Sequence, residues 1–98
     1  MTGLDPLIHA PARLRLCAML AAVDQAQFAT MRDRLEVSDS VLSKHVSALA
    51  EARYLKAGKG MADSRRTTWL SLTPTGRHAF AAHVAALRAV LDDVDAPA

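Results

Sequence analysis

The stretch LEVSDSVLSKHVSALAEARYL, which runs from Leu35 to Leu55, decides the fold of this 98-residue chain. Ser38 is a good N-cap residue, so the stretch predicts a helix from Asp39 to about Ala52. The apolar residues of this helix recur at helical spacing and predict one buried face, formed by Leu42, Val46 and Leu49.

The opposite face of this helix carries short polar side chains and one cation. A rotation of about 100° per residue places Ser40, Lys44 and Ser47 away from the buried face, with Ser43 at its flank. Short side chains let a helix lie deep in the DNA major groove, where a lysine reaches a guanine edge or a phosphate. For an isolated helix, an ordinary solvated face is the better interpretation. The neighbouring elements reverse that preference.

A short amphipathic helix precedes this segment, from Phe28 to Leu35, and Glu36-Val37 forms the turn between the two helices. Residues 28–52 are therefore expected to form a helix-turn-helix. From residue 56 to residue 72 the polarity alternates with period two, which predicts a two-stranded hairpin.

The hairpin is expected to turn at Gly58, Gly60 and Asp63-Ser64. Its tip is basic, and it contains Lys59, Arg65 and Arg66. A basic hairpin behind a helix-turn-helix is where a wing grips the DNA backbone or the minor groove. The sequence thus predicts a single domain over residues 1–98. Its fold class is mainly α with a small β-hairpin, a winged helix-turn-helix.

The first and last helices carry surplus apolar surface. Asp5-Pro6 starts a short segment, and the helix from Pro11 to about Val23 is apolar nearly all round, which predicts burial on two sides. Thr73-Pro74 starts a final helix over residues 74–93, whose heptad seam comprises Phe80, Val84, Leu87, Leu91 and Val94. The residues expected at a dimer interface are Leu7, Ile8, Leu16, Leu20, Phe80, Val84, Leu87 and Leu91.

Charge and composition narrow the class of protein. The net charge is +2, yet residues 38–77 hold seven Lys or Arg against three acids, which makes a basic island. The longest apolar run, Cys17 to Val23, is too short to span a bilayer, and the N-terminus lacks the pattern of a signal peptide. With a single cysteine, the chain is expected to be cytoplasmic.

These residues resemble a known family. The run from Leu35 to Leu55 is similar to the helix-turn-helix of MarR- and ArsR-type winged-helix regulators. DSRRTTWLSLTPTGR, Asp63 to Arg77, resembles their wing and the start of their dimerisation helix. LDPLIHAPARLRL, Leu4 to Leu16, resembles the opening of a compact stand-alone subgroup. The resemblance implies a bacterial homodimeric repressor, associated with the nucleoid when bound to a pseudo-palindromic operator.

Double-stranded DNA and a second copy of the chain are therefore the expected partners, and the effector is unknown. The residues expected to contact DNA are Ser38, Ser40, Ser43, Lys44, Ser47, Arg53, Lys59, Arg65, Arg66 and Thr67. Three positions depart from the pattern of relatives. Gln27 stands where many have an Asp cap, Arg53 where many have Gly, and Thr75 where many have Glu.

Three alternative functions are a metal or ligand sensor, an enzyme and a protein-interaction module. A metal- or ligand-responsive ArsR-type sensor is disfavoured because Cys17 is alone in an apolar helix, and His78 and His83 do not share a face. His9 and His45 are isolated in the sequence. We therefore expect no metal and no cofactor. The chain has no phosphate loop or nucleophile elbow, so an enzyme is not expected. A protein-interaction module remains open, with Trp69 either covering the hairpin's outer face or offering a partner or ligand surface.

Overall fold

The computed structural model describes residues 3–95, with side chains through Asp93. In this range the helices are α1 Pro6–His9, α2 Pro11–Ala21, α3 Phe28–Leu35, α4 Asp39–Glu51 and α5 Pro74–Asp95. The strands are β1 Ala26–Gln27, β2 Leu55–Ala62 and β3 Arg65–Leu72. This order confirms the mainly helical winged helix-turn-helix.

Three helices begin where their capping residues predict. Side-chain oxygens of Asp5, Ser38 and Thr73 accept backbone N–H bonds from the first turns of α1, α4 and α5, at 2.9, 3.2 and 2.9 Å. Each bond satisfies a donor that has no partner within its helix. Gln27 precedes α3 without any side-chain cap bond, as expected of a poorer capping residue.

The wing is the outer part of a three-stranded antiparallel sheet of order β1-β3-β2. Asp63 and Ser64 join β2 to β3 with φ angles of 50° and 64°, the left-handed pair that a two-residue type I′ turn requires. The prediction of turns at Gly58 and Gly60 is wrong, because both lie inside β2. Gly60 is needed there for another reason, since a Cβ would lie 2.8 Å from Cδ1 of Trp69.

Strand β1 was not predicted. Ala26 pairs with Leu70 and Gln27 pairs with Trp69, within the short segment that joins α2 to α3. Two residues are too few to show an alternating pattern, so only tertiary pairing with β3 reveals the strand.

The core lies between the helices and one face of the sheet. Twelve apolar side chains are buried in the described range: Ile8, Leu16, Cys17, Leu20, Met31, Leu35, Leu42, Val46, Leu49, Leu55, Leu70 and Leu72. Every predicted buried residue of α4 is among them. His83 is the buried polar residue of the same set, with no exposed surface.

Three residues expected at the dimer interface belong instead to this core. Ile8, Leu16 and Leu20 are each 0% exposed within one chain. They have no surface left to bury against a partner, so their assignment to the interface is corrected. Helical periodicity shows that a face is apolar, but it does not show whether the same chain covers it.

The start of α5 is fixed against the end of α4 by a close backbone approach. A Cβ on Gly76 would lie 1.9 Å from the carbonyl oxygen of Tyr54, so only glycine fits this position. The same carbonyl accepts the N–H of Thr73 at 3.0 Å. The backbone just after α4 thus fixes the position at which α5 begins.

Candidate nucleic-acid interface

The outward face of α4 is polar, as its spacing predicts. Ser40, Ser43, Lys44 and Ser47 are all exposed, while Leu42 on the opposite side is fully buried. No neighbouring element of the described chain covers this row of three hydroxyls and one ammonium group. It offers donors and acceptors of the kind that read base edges in the major groove.

The start of α4 is anchored to α3. Arg32 of α3 forms an ion pair with Asp39 at 2.9 Å, which places a guanidinium beside the first turn of α4. Ser38 Oγ lies 3.2 Å from Ser40 Oγ, so two predicted contact residues are adjacent at the helix start. Because Arg32 offsets the charge of Asp39, this end of the helix still suits a phosphate.

A cleft of about 380 Å³ separates α4 from β3. Its lining includes Ser43, Ser47 and Thr68, with Phe28 and Val46 supplying apolar surface. Phe28 and Thr68 were not predicted from the sequence to line this surface. Thr68 could have been found, because period-two alternation places it on the same face of β3 as the buried Leu70.

The strand register divides the wing residues between two faces. Lys59 pairs with Thr68 and its Nζ donates to Thr68 Oγ1 at 2.7 Å, on the face that meets α4. Arg66 pairs with Met61 on that same face, one step further out. Arg65 faces the other way, so the two arginines do not act as one patch. Lys59 lies along β2 rather than at the tip.

Two further predicted contacts lie elsewhere. Thr67 is on the outer face of the sheet, and its hydroxyl donates to Gln27 Oε1 at 3.3 Å. Arg53 follows α4 with a φ of 67°, the left-handed conformation that favours glycine. Its side chain is exposed, and its carbonyl accepts the hydroxyl of Thr73 at 2.6 Å.

A hydrogen-bonded network joins the first helix, the last helix and the end of α4. The backbone N–H of Asp5 donates to His83 Nδ1 at 2.9 Å, and His83 Nε2 lies 3.3 Å from His9 Nδ1. The hydroxyl of Tyr54 donates to Asp5 Oδ2 at 2.7 Å. His9 is isolated in the sequence, and the separation of 74 residues concealed its spatial neighbour His83.

The network sets the protonation state of His83. An N–H group only donates, so Nδ1 of His83 must be an unprotonated acceptor and its proton sits on Nε2. Burial, and then the neighbouring His9, lower the pKa of His83 below its ordinary value of 6.5, although Asp5 opposes this shift. His83 is thus held neutral between two partners.

His45 is tied to the body in a similar way. Its Nδ1 lies 3.3 Å from the guanidinium NH1 of Arg13, and Arg13 Nε donates to the carbonyl of Leu7. Burial and then the charge of Arg13 lower the pKa of His45. His45 thus hydrogen-bonds at the border of the core. α1, α2 and α4 are joined through one arginine.

Apolar side chains of α5, together with Leu7 of α1, remain accessible at the surface. Leu7, Phe80, Val84 and Leu87 are half-buried, and Leu91 is 61% exposed. A shallow depression of about 550 Å³ follows this helix beside Phe80 and Val84. The side chain of Val94, the last member of the seam, lies outside the described residues.

Other features bear on the alternatives. Within residues 3–95, no group of three or more His, Cys, Asp or Glu side chains is placed to hold a metal ion. Cys17 is buried, and burial raises the pKa of its thiol to about 11. Trp69 is half-buried on the outer face of the sheet. None of the described helices is both long enough and apolar enough to span a membrane.

A helix-turn-helix followed by a two-stranded wing defines the winged-helix class of DNA-binding domains. Residues 12–91 match the family model described as a winged helix DNA-binding domain, and the chain belongs to that family. This membership identifies it as a DNA-binding regulator domain rather than an enzyme.

Solved structures agree with this assignment. A transcriptional regulator homologue from Pyrococcus horikoshii is 26% identical, with a TM-score of 0.86 over 92% of this chain and 89% of that one. A MarR-family regulator from Silicibacter pomeroyi is also 26% identical, with a TM-score of 0.68 over 90% of this chain and 58% of its own.

The chain also has a relative by sequence. An uncharacterized protein of Methanocaldococcus jannaschii is 24% identical over 76% of this chain and 80% of its own length.

Proposed function

We propose that the chain is a homodimeric transcriptional repressor that binds an inverted-repeat operator. In this proposal α4 reads the major groove through Ser40, Ser43, Lys44 and Ser47, and Ser38 meets a phosphate at the helix start. The wing contributes Lys59 and Arg66 on the side of α4, with Arg65 and Arg53 on flanking backbone.

One observation carries the proposal: the uncovered polar face of α4 lies beside a basic hairpin. Ser43 and Ser47 of α4 line the same cleft as Thr68 of β3, and Lys59 is bonded to Thr68. The row of hydroxyls on α4 and two cations of the wing, Lys59 and Arg66, therefore lie on the same side of the molecule. If the polar face of α4 were only solvated and had no function, it would not need to lie beside a basic wing.

Apolar surface that one chain leaves open supports the proposed dimer. We propose that α1 and α5 form it through Leu7, Phe80, Val84, Leu87 and Leu91. A two-fold axis between the α5 helices would place the two copies of α4 in successive major grooves. The centres of the half-sites would then be about 10 bp apart.

The deciding test is fluorescence anisotropy of a labelled, mixed-sequence duplex of roughly 30 bp, titrated with protein at about 50 and about 200 mM salt. We expect binding that weakens steeply with salt, because released counterions drive association with a cationic surface. Selection from a random library of duplexes then identifies the operator, which should be an inverted repeat.

The absence of binding at the lower salt concentration would overturn the proposal. It would favour a winged-helix module that binds protein, with the outer face around Trp69 as the first surface to examine. Binding without any preference in the selection would remove the repressor assignment and leave a non-specific DNA-binding protein.

A further inference from the structure

Met61 is exposed on the wing although it is a large apolar residue. It lies two residues before the Asp63-Ser64 turn and is 60% exposed. The pairing register places it directly opposite Arg66, and both residues line a small cleft of about 90 Å³ with Lys59. An exposed methionine between cations contributes nothing to the core, so its position calls for another explanation.

The direction of this side chain follows from the sheet. Paired residues share a face, so Met61 and Arg66 lie on the same side as the pair Lys59–Thr68. Thr68 faces the cleft beside Ser43 of α4. Met61 therefore points to the side of the molecule that α4 presents, about 7 Å further along the strand than Thr68.

This position would suit a contact with the minor groove next to the major groove proposed for α4. If α4 occupies a major groove, the hairpin crosses the flanking phosphate strand, and its outer pairs reach the next minor groove. The cations beside Met61 suit the negative potential there, and proteins use methionine side chains as apolar contacts in that groove. Met61 offers a buried guanine amino group only a thioether sulfur, which is a weak acceptor and compensates poorly for the water that the group loses.

Resting on the DNA binding proposed above, we propose that Met61 is a minor-groove contact that selects A·T base pairs at each operator flank. Its thioether side chain fills the groove floor beside Arg66 and excludes the 2-amino group of guanine. The wing would thus add sequence selectivity to a hairpin whose charges alone contact any backbone.

The test uses the best duplex from the random-library selection and the same duplex with 2,6-diaminopurine replacing the flank adenines. This change adds an amino group in the minor groove and leaves the major-groove acceptor and donor of adenine in place. We expect the full-length protein to bind the substituted duplex about 10-fold more weakly, at the lower end of the effect of a mismatched base pair. Met61→Ala should reduce this difference to less than about 3-fold, whereas Met61→Leu should keep most of it.

Arg65→Ala is the matched control, since Arg65 is on the wing but faces away from Met61. It should weaken binding to both duplexes equally and keep the difference between them. Equal binding of both duplexes by the wild-type protein, or an unchanged difference in Met61→Ala, would overturn the inference. Failure to bind even the adenine duplex would instead refute the proposed function.

Discussion

Lys44 is the cation on the outward face of α4, and its environment leaves it available for DNA. It is exposed, and its four-carbon stem lets the ammonium reach either a base edge or a phosphate. Lys44→Ala should weaken binding to the selected operator by about 1–3 kcal/mol and relax preference at one base position if it contacts a guanine. Anisotropy with the operator and with single-base variants of it measures both effects.

The control for Lys44 is Glu51→Ala, an exposed change at the far end of the same helix. It should leave the base preference unaltered. If Lys44→Ala weakens all duplexes by the same factor, its contact is to a phosphate, and the assignment of base reading to Lys44 is wrong.

The lowered pKa of His83 predicts that the stability of the folded chain depends on pH. Its pKa is lowered in the folded chain, so the unfolded chain takes up a proton first as pH falls below about 6.5, and folding then loses free energy. The lowered pKa of His45 acts in the same direction. Urea unfolding at about pH 7.5 and about pH 5.5 should show lower stability in acid.

His83→Asn separates this residue from other titrating groups. An asparagine Oδ1 is able to accept the N–H of Asp5 in place of Nδ1, and it does not take up a proton in this range. The variant should be less stable at neutral pH, because the smaller side chain leaves a cavity, yet it should lose less on acidification. Equal losses in the two proteins would show that His83 does not cause the dependence.

At the residue scale, local features were predictable from the sequence and long-range contacts were not. The caps at Asp5, Ser38 and Thr73 were predictable, because capping is a local property of a few consecutive residues. The contact between His9 and His83 was not, since it depends on how α1 lies against α5. The burial of Ile8 in the core, which removes it from the interface, depends on long-range packing in the same way.

At the scale of elements, the helices were predicted closely and the sheet in part. Four of the five helices in the described range are long enough to show an apolar period, and the fifth, α1, has a strong cap. The two glycines of β2 were misread as turns because glycine marks turns in most sequences. Here Gly60 instead makes room for the indole of Trp69, a cross-strand requirement that depends on the register.

The wing as an element is expected to supply charge to the complex. Both Arg65 and Arg66 are exposed and neither forms an ion pair in the described part of the chain, so their charges are free to replace counterions on phosphates. Arg65→Ala with Arg66→Ala should reduce the slope of log K against log salt by up to about 2. Anisotropy at several salt concentrations gives the slope. An unchanged slope would mean that the wing does not touch DNA.

At the scale of the whole molecule, the network around Asp5 links the helices proposed to form the dimer with the helix proposed to bind DNA. Asp5 caps α1, its N–H is held by His83 of α5, and its carboxylate accepts the hydroxyl of Tyr54, three residues beyond α4. The elements proposed to form the dimer are therefore joined to the end of the recognition helix. The spacing of the two copies of α4 in a dimer would depend on these few contacts.

The long axis of the molecule, 59 Å, reflects a 22-residue α5 whose outer turns have exposed side chains from Arg88 to Asp93. Leu91 is 61% exposed there, so the contacts within a single chain do not bury it. Leu91→Asp should leave the monomer folded and dissociate the dimer, since it would place an unpaired charge in the proposed interface. Sedimentation velocity measures the change in mass.

Val23→Asp provides the matched control, because Val23 is an exposed apolar residue, 42% accessible, that lies outside α5. It should sediment as the wild-type protein does. A dimeric Leu91→Asp would remove the end of α5 from the interface and with it the predicted operator spacing. A monomeric Leu91→Asp should also bind the inverted repeat far more weakly, because two half-sites engaged by one dimer bind as a unit, whereas two monomers must bind independently.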